Sequence, residues 1–194
     1  VSVRSGRGAY KLHYDLHRAT GILLLPVLCV LALTGIYLNL PDVVKPVVGW
    51  FSPLTANAPV SGVGKVEPGQ AIVSPEQAVA TALAQLPGAR VTSLARDFAK
   101  GLYAVRLALP TDVSPPGNNT VYVRMSDGAL HLARTVADRT AADTYLAWQL
   151  PLHAGYAFGA AGQLLVSIAG LGTVLMGITG FKVWRRKRKG RKRP

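Results

Sequence analysis

The chain is poor in cysteine, in acidic residues and, over two long stretches, in charge of either sign. Cys29 is the single cysteine, so no intrachain disulfide can form. No glycine-rich loop sits in a strand–glycine–helix setting, which excludes a dinucleotide or phosphate loop built on that signal. Nine Asp and Glu stand against 22 Lys and Arg, a formal net charge of +13. Asp97, Asp112 and Asp127 are scattered among turn residues, and turn chemistry explains Asp127 in Ser126-Asp127-Gly128. The middle of the chain has His131 as its one histidine and no cysteine. It offers no convincing catalytic set and reads as a binding or regulatory module.

The first stretch without charge is Ile22 to Leu40, ILLLPVLCVLALTGIYLNL. At about 1.5 Å per residue it covers roughly 29 Å, close to the hydrocarbon thickness of a bilayer. The second runs from Ala157 to Phe181, with Gln163 its most polar side chain. Buried core helices are apolar too, but this length without charge favours membrane spans. A signal peptide shares the basic flank and apolar run of the first stretch. Its core is shorter, about 7–15 residues, and Pro41-Asp42-Val43-Val44-Lys45 offers no small-x-small cleavage site. A retained anchor is expected.

The positive charge is concentrated at the two ends. Residues 1–18 carry Arg4, Arg7, Lys11 and Arg18, and the tail from Lys182 carries nine basic residues and no acidic one. Basic segments flanking spans stay in the cytoplasm, so both termini are expected inside and residues 41–156 outside. Two spans with both ends on one side is self-consistent. Directly after a span, the tail WRRKRKGRKRP reads as an anchor on anionic membrane lipid and not as a nucleic-acid patch.

The expected organisation follows in chain order: a basic segment over 1–18, a transmembrane helix over 19–40 and a Pro-rich linker over 41–70. An α+β domain over 71–136, a connector over 137–150, a second transmembrane helix over 151–183 and a basic tail over 184–194 complete it. The fold class is thus an α-helical membrane protein, half of a helix bundle, with a small α+β domain outside. Trp50 and Phe51 suit a membrane interface. Ser74-Pro75-Glu76-Gln77 combines a cap, a proline at the first helical position and a glutamine at the third. It predicts a helix ending at Pro87-Gly88, with Ala78, Val79, Ala82, Leu83 and Leu86 on one face. Strands are predicted over 90–94, 102–109, 120–125 and 129–135, so one helix packs on a small antiparallel sheet.

Three of the four histidines lie at span ends. His13 and His17 are four apart and share a helix face, and His153 opens the second helix. One reading is that histidine tolerates the interfacial zone. The other is haem ligation, because imidazole is a common axial ligand of haem iron. Glycines 155, 159, 162, 170, 172, 177 and 180 would let a porphyrin approach, though small residues also serve plain helix–helix contact.

These motifs resemble a family. Asp15-Leu16-His17-Arg18 with Gly21, Thr34-Gly35, Leu152-His153 with Gly155, Phe158-Gly159, Gly162-Gln163, Thr179-Gly180 and Trp184 are similar to the pattern of PepSY-associated transmembrane proteins. Ser74 to about Thr135 resembles the PepSY module, through its Ser-Pro-Glu-Gln-Ala helix start and its Ser-Asp-Gly turn. The resemblance implies an inner-membrane haem protein that reduces ferric siderophore. Many members have four spans in two such units. The opening of this chain is similar to the start of a second unit, so it is expected to be the C-terminal half of a longer protein or a short member that pairs with another chain.

His17 and His153 are expected at opposite membrane faces, roughly 30 Å apart, too far to share one iron. The expectation is two b-type haems, each taking one histidine here and one from a second unit, whether a homodimer partner or another half. His13 is an alternative inner-face ligand, and His131 is expected to be structural. An electron donor inside and a ferric siderophore outside are the other implied partners, with no nucleic acid. The alternative function is a non-enzymatic PepSY subunit that regulates or binds an extracytoplasmic protease.

Overall fold

A computed structural model describes residue 3, residues 8–55 and residues 58–190. Arg4, Arg7 and positions 191–194 of the basic tail lie outside the described residues. The chain divides into two compact units, Val1–Ile36 with Leu152–Pro194, and Tyr37–Pro151.

The first unit is built on helix α1 (Ala9–Asn39) and helix α5 (Gly159–Gly190), both long and apolar enough to cross a membrane. α1 begins at Ala9, well before the expected start at 19, because the polar segment Lys11–Arg18 continues the helix and buries Asp15 completely. The two helices run antiparallel. Gly180 faces His17, Gly21 faces Met176, and Gly172 lies against Leu24 and Thr20. A methyl group on Gly172 would meet the end of the Leu24 side chain, which would have to turn aside. Elsewhere the helices show apolar side chains outward, with Leu23 78% and Leu171 73% exposed. Such surfaces suit lipid or further helices and not water.

The second unit carries the α+β domain. Helix α3 (Pro75–Gln85) begins with a capping box: the Gln77 amide donates to Ser74 Oγ at 3.2 Å and the Ser74 amide to Gln77 Oε1 at 3.1 Å. Strands β1 (Arg90–Asp97), β2 (Leu102–Ala108), β3 (Asn119–Arg124) and β4 (Leu130–Arg134) form an antiparallel sheet in sequential order. Alternation places Tyr103, Val105 and Leu107 of β2 and Val121 and Val123 of β3 on one face, where Ala78 and Ala82 of α3 close the core. The Tyr103 hydroxyl donates to the Val73 carbonyl at 2.8 Å, so its burial leaves no polar group stranded. The helix-on-sheet domain and its strands follow the sequence pattern closely.

Three local expectations are corrected. The stretch read as linker contains helix α2 (Pro41–Gly49), because Pro41 at the first helical position and Asp42 in the first turn start a helix that Pro46 does not end. Trp50 and Phe51 follow it, 80% and 85% exposed. The stretch read as connector is largely helix α4 (Ala141–Ala154), begun by Thr140 and Asp143, each accepting from the other's amide. Finally, His153 does not open the second span. It ends α4, and a short 3-10 turn, Tyr156–Phe158, separates it from α5. Gly155, at φ +80°, stops α4, and a side chain there would strike the backbone of Gly162 and Gln163.

Candidate functional site

Two histidines in the first unit each lie against a Thr-Gly pair of another helix. His17, on α1, has its Nδ1 3.0 Å from the Met176 carbonyl and 3.4 Å from Thr179 Oγ1 of α5. His153, at the end of α4, has its Nδ1 2.9 Å from Thr34 Oγ1 of α1. The following glycine makes room for each ring. A Cβ on Gly180 would lie 3.0 Å from His17 Cε1, and one on Gly35 would lie 3.3 Å from His153 Cε1. Thr34 and Thr179 are both buried.

The hydrogen-bond partners favour one tautomer of each ring. A backbone carbonyl can only accept, so His17 donates its Nδ1–H to Met176. Thr34 donates its one hydroxyl proton to the Val30 carbonyl at 2.7 Å, so it accepts from the Nδ1–H of His153. In both neutral rings the lone pair is then on Nε2. This is the arrangement by which proteins orient a metal-binding imidazole, with one nitrogen donating to a fixed acceptor and the other left for the metal.

The two histidines lie far apart along α1. From His17 to Thr34, the contact of His153, the axis advances about 26 Å at about 1.5 Å per residue. They are brought to opposite ends of the helix pair and not together. His13 shares the α1 face of His17, and its Nδ1 is buried without a hydrogen-bond partner among the described residues. It borders a cleft of about 330 Å³ that Tyr10, Lys182, Arg185 and Arg186 also line. His131 lies on β4 where the register slips between the pairs Tyr122–Leu132 and Val123–Leu130.

Among the described residues no three His, Cys, Asp or Glu gather to hold a bare metal ion. What each end offers is one oriented imidazole beside a glycine, which fits the axial position of a haem, where the macrocycle supplies the other ligands. Sequence reasoning missed Thr34, Thr179 and Met176 as the groups that orient the rings. The signal was present in the Thr-Gly pair near the far end of each apolar run, but the contact partners come from the other helix and are not adjacent in sequence.

The PepSY-associated TM region, as a family, matches residues 1–187. No curated protein matches the chain.

Proposed function

The chain belongs to the PepSY-associated transmembrane family, and from that premise we propose that this membrane protein is a haem-b oxidoreductase that passes electrons outward to ferric iron carried by a siderophore. The twin His–Thr-Gly arrangement carries the reading. A haem bound there would supply one-electron transfer at its iron. The work of this chain is to present His17 Nε2 at one end of the helix pair and His153 Nε2 at the other, with each Nδ1–H anchored so that neither ring can turn away. His13 is the second candidate at the His17 end.

One unit offers one oriented imidazole at the His153 end, and its helices leave broad apolar faces uncovered. Both features support completion by a second unit, giving two haems in a bundle of at least four helices. The orientation proposed is both termini in the cytoplasm across a bacterial inner membrane. Support comes from His13 lining one cleft with Lys182, Arg185 and Arg186, which puts the start of α1 and the basic end of α5 at the same end. Residues 41–156 then face outward, where a ferric siderophore is met.

Absorbance spectra of the detergent-purified chain, oxidised and then reduced with dithionite, test the proposal. A sharp reduced b-type band that falls in stages with His17→Ala and His153→Ala is expected. A well-folded sample with no haem band after expression with haem available overturns it.

A further inference from the structure

The domain of the second unit has two unlike faces. α3 covers one, and the other carries Arg106, Thr120, Tyr122 and Arg134 beside the apolar Ala104 and Leu132. On that face the register sets Arg106 of β2 opposite Thr120 of β3, and Thr120 opposite Arg134 of β4. Directly paired residues point to the same side, so two guanidiniums flank one hydroxyl, their strands roughly 10 Å apart at about 4.8 Å per strand spacing. Arg134 also lies over the Tyr122 ring, 5.8 Å from its centroid.

All four residues line an open cleft of about 520 Å³, within the range of small-molecule sites, roughly 300–1,000 Å³. Arg139 joins its wall, half-buried, donating to the Asn118 carbonyl at 2.6 Å. Burial lowers the pKa of its guanidinium, and Asp112 and Asp143 oppose that shift. Two acids also border the cleft, but both are engaged. Asp138 accepts from the Thr135 amide and hydroxyl, and Asp143 accepts from Thr55 and from the Thr140 amide. Arg106 is exposed and makes no ion pair among the described residues. Arg106 and Arg134 thus stand on one row with β3 between them, two like charges aimed at the same cleft with a hydroxyl donor in the middle.

We infer that this cleft binds a small polyanion of the polycarboxylate class, with Arg106 and Arg134 gripping separated carboxylates and the Thr120 hydroxyl between them. The planar guanidinium fork matches a carboxylate through two parallel hydrogen bonds. The separation of the two forks selects a ligand with charges at both ends over a compact ion such as phosphate. Binding here needs no electron transfer and stands whether or not haem occupies the histidines.

Equilibrium dialysis of the detergent-solubilised full chain against radiolabelled citrate at low ionic strength is the test. Saturable binding is expected, weakened by salt and by about tenfold or more in Arg106→Gln and in Arg134→Gln. Arg96→Gln removes the same charge from the face of α3, since Arg96 pairs with core-facing Tyr103, and should bind citrate like the parent. Triethyl citrate, which has the skeleton without the charge, should not compete. Circular dichroism checks each variant. If a glutamine variant does not fold, Arg106→Lys or Arg134→Lys keeps the charge, loses the fork and should show a smaller loss. The inference is overturned by the absence of saturable binding, by parent-like affinity in the folded arginine variants, or by phosphate displacing citrate as well as citrate does.

Discussion

His153 donates its Nδ1–H to the hydroxyl of Thr34 across 2.9 Å, while that hydroxyl sends its own proton to the Val30 carbonyl at 2.7 Å. The threonine is thus an acceptor with a fixed direction. His17 differs in one respect that matters: its Nδ1 reaches a backbone carbonyl, Met176, at 3.0 Å, with Thr179 Oγ1 more distant at 3.4 Å.

The difference predicts unequal effects of the same substitution. Thr34→Val removes the hydroxyl that accepts from His153, so the ring loses its tautomer control. Removing such an orienting partner costs about 10–100-fold in metal-site affinity. On the proposed assignment, haem at the His153 end should therefore be lost to excess apomyoglobin much faster, while Thr34→Ser retains it. Thr179→Val leaves the Met176 carbonyl in place and should change the His17 end little. Equal effects of the two valine variants would contradict the assignment.

The glycine after each threonine makes a second prediction. Gly180→Ala brings a methyl 3.0 Å from the His17 ring, and Gly35→Ala one at 3.3 Å from the His153 ring. Both are tighter than ordinary van der Waals contact, so the ring must move. Gly170→Ala and Gly177→Ala meet nothing within 4 Å. These two should be neutral or slightly stabilising, since alanine favours a helix over glycine by about 1 kcal/mol. Thermal unfolding in detergent and the reduced haem band separate the pairs: the first should alter the band, the second should not.

Gly155→Ala should be worse than any of these. Its φ of +80° strains an L residue, and a Cβ would meet the backbone of Gly162 and Gln163, which cannot rotate away. Left-handed strain alone costs about 1–2 kcal/mol. Poor membrane yield or a melting temperature well below that of Gly170→Ala is expected.

These particulars show where the sequence was legible. The capping box at Ser74 and Gln77 and the alternation in β2 and β3 are local patterns whose physics acts within a few residues, and the structure follows them. The two spans were legible because a run of uncharged residues long enough to cross a bilayer has few other uses. α2 was obscured by its prolines, which mark irregular chain as often as a helix start. The break at Gly155 was hidden because glycine is also common inside packed spans. The pairing of His17 with Thr179-Gly180 and of His153 with Thr34-Gly35 depends on the antiparallel contact of distant segments. The sequence holds both halves of each pair without the distance between them. The row of Arg106, Thr120 and Arg134 is of the same kind, since only strand register brings those three together.

The acidic groups of the second unit predict its response to pH. Asp138 is held below the usual aspartate range, first by the Thr135 hydroxyl and then by the Thr135 amide. Asp127 is lowered chiefly by the Ala129 amide, and Glu76 chiefly by its own backbone N–H with help from Ser74. A carboxylate with a depressed folded pKa contributes stability that is complete above its unfolded value, about 3.9 for Asp and 4.3 for Glu. That contribution fades as pH falls through the folded value. The domain should therefore hold its stability from neutral pH down to about 4.5 as far as these groups are concerned, and lose it below. Thr135→Val should raise the Asp138 pKa toward the ordinary value, as read by carboxyl carbon NMR. It should also make the domain less stable at neutral pH, by a difference that shrinks as pH falls through the folded pKa of Asp138. A parent–variant difference that grows on acidification, or an Asp138 titration unmoved by the substitution, would show that Thr135 does not hold that carboxylate in its charged form.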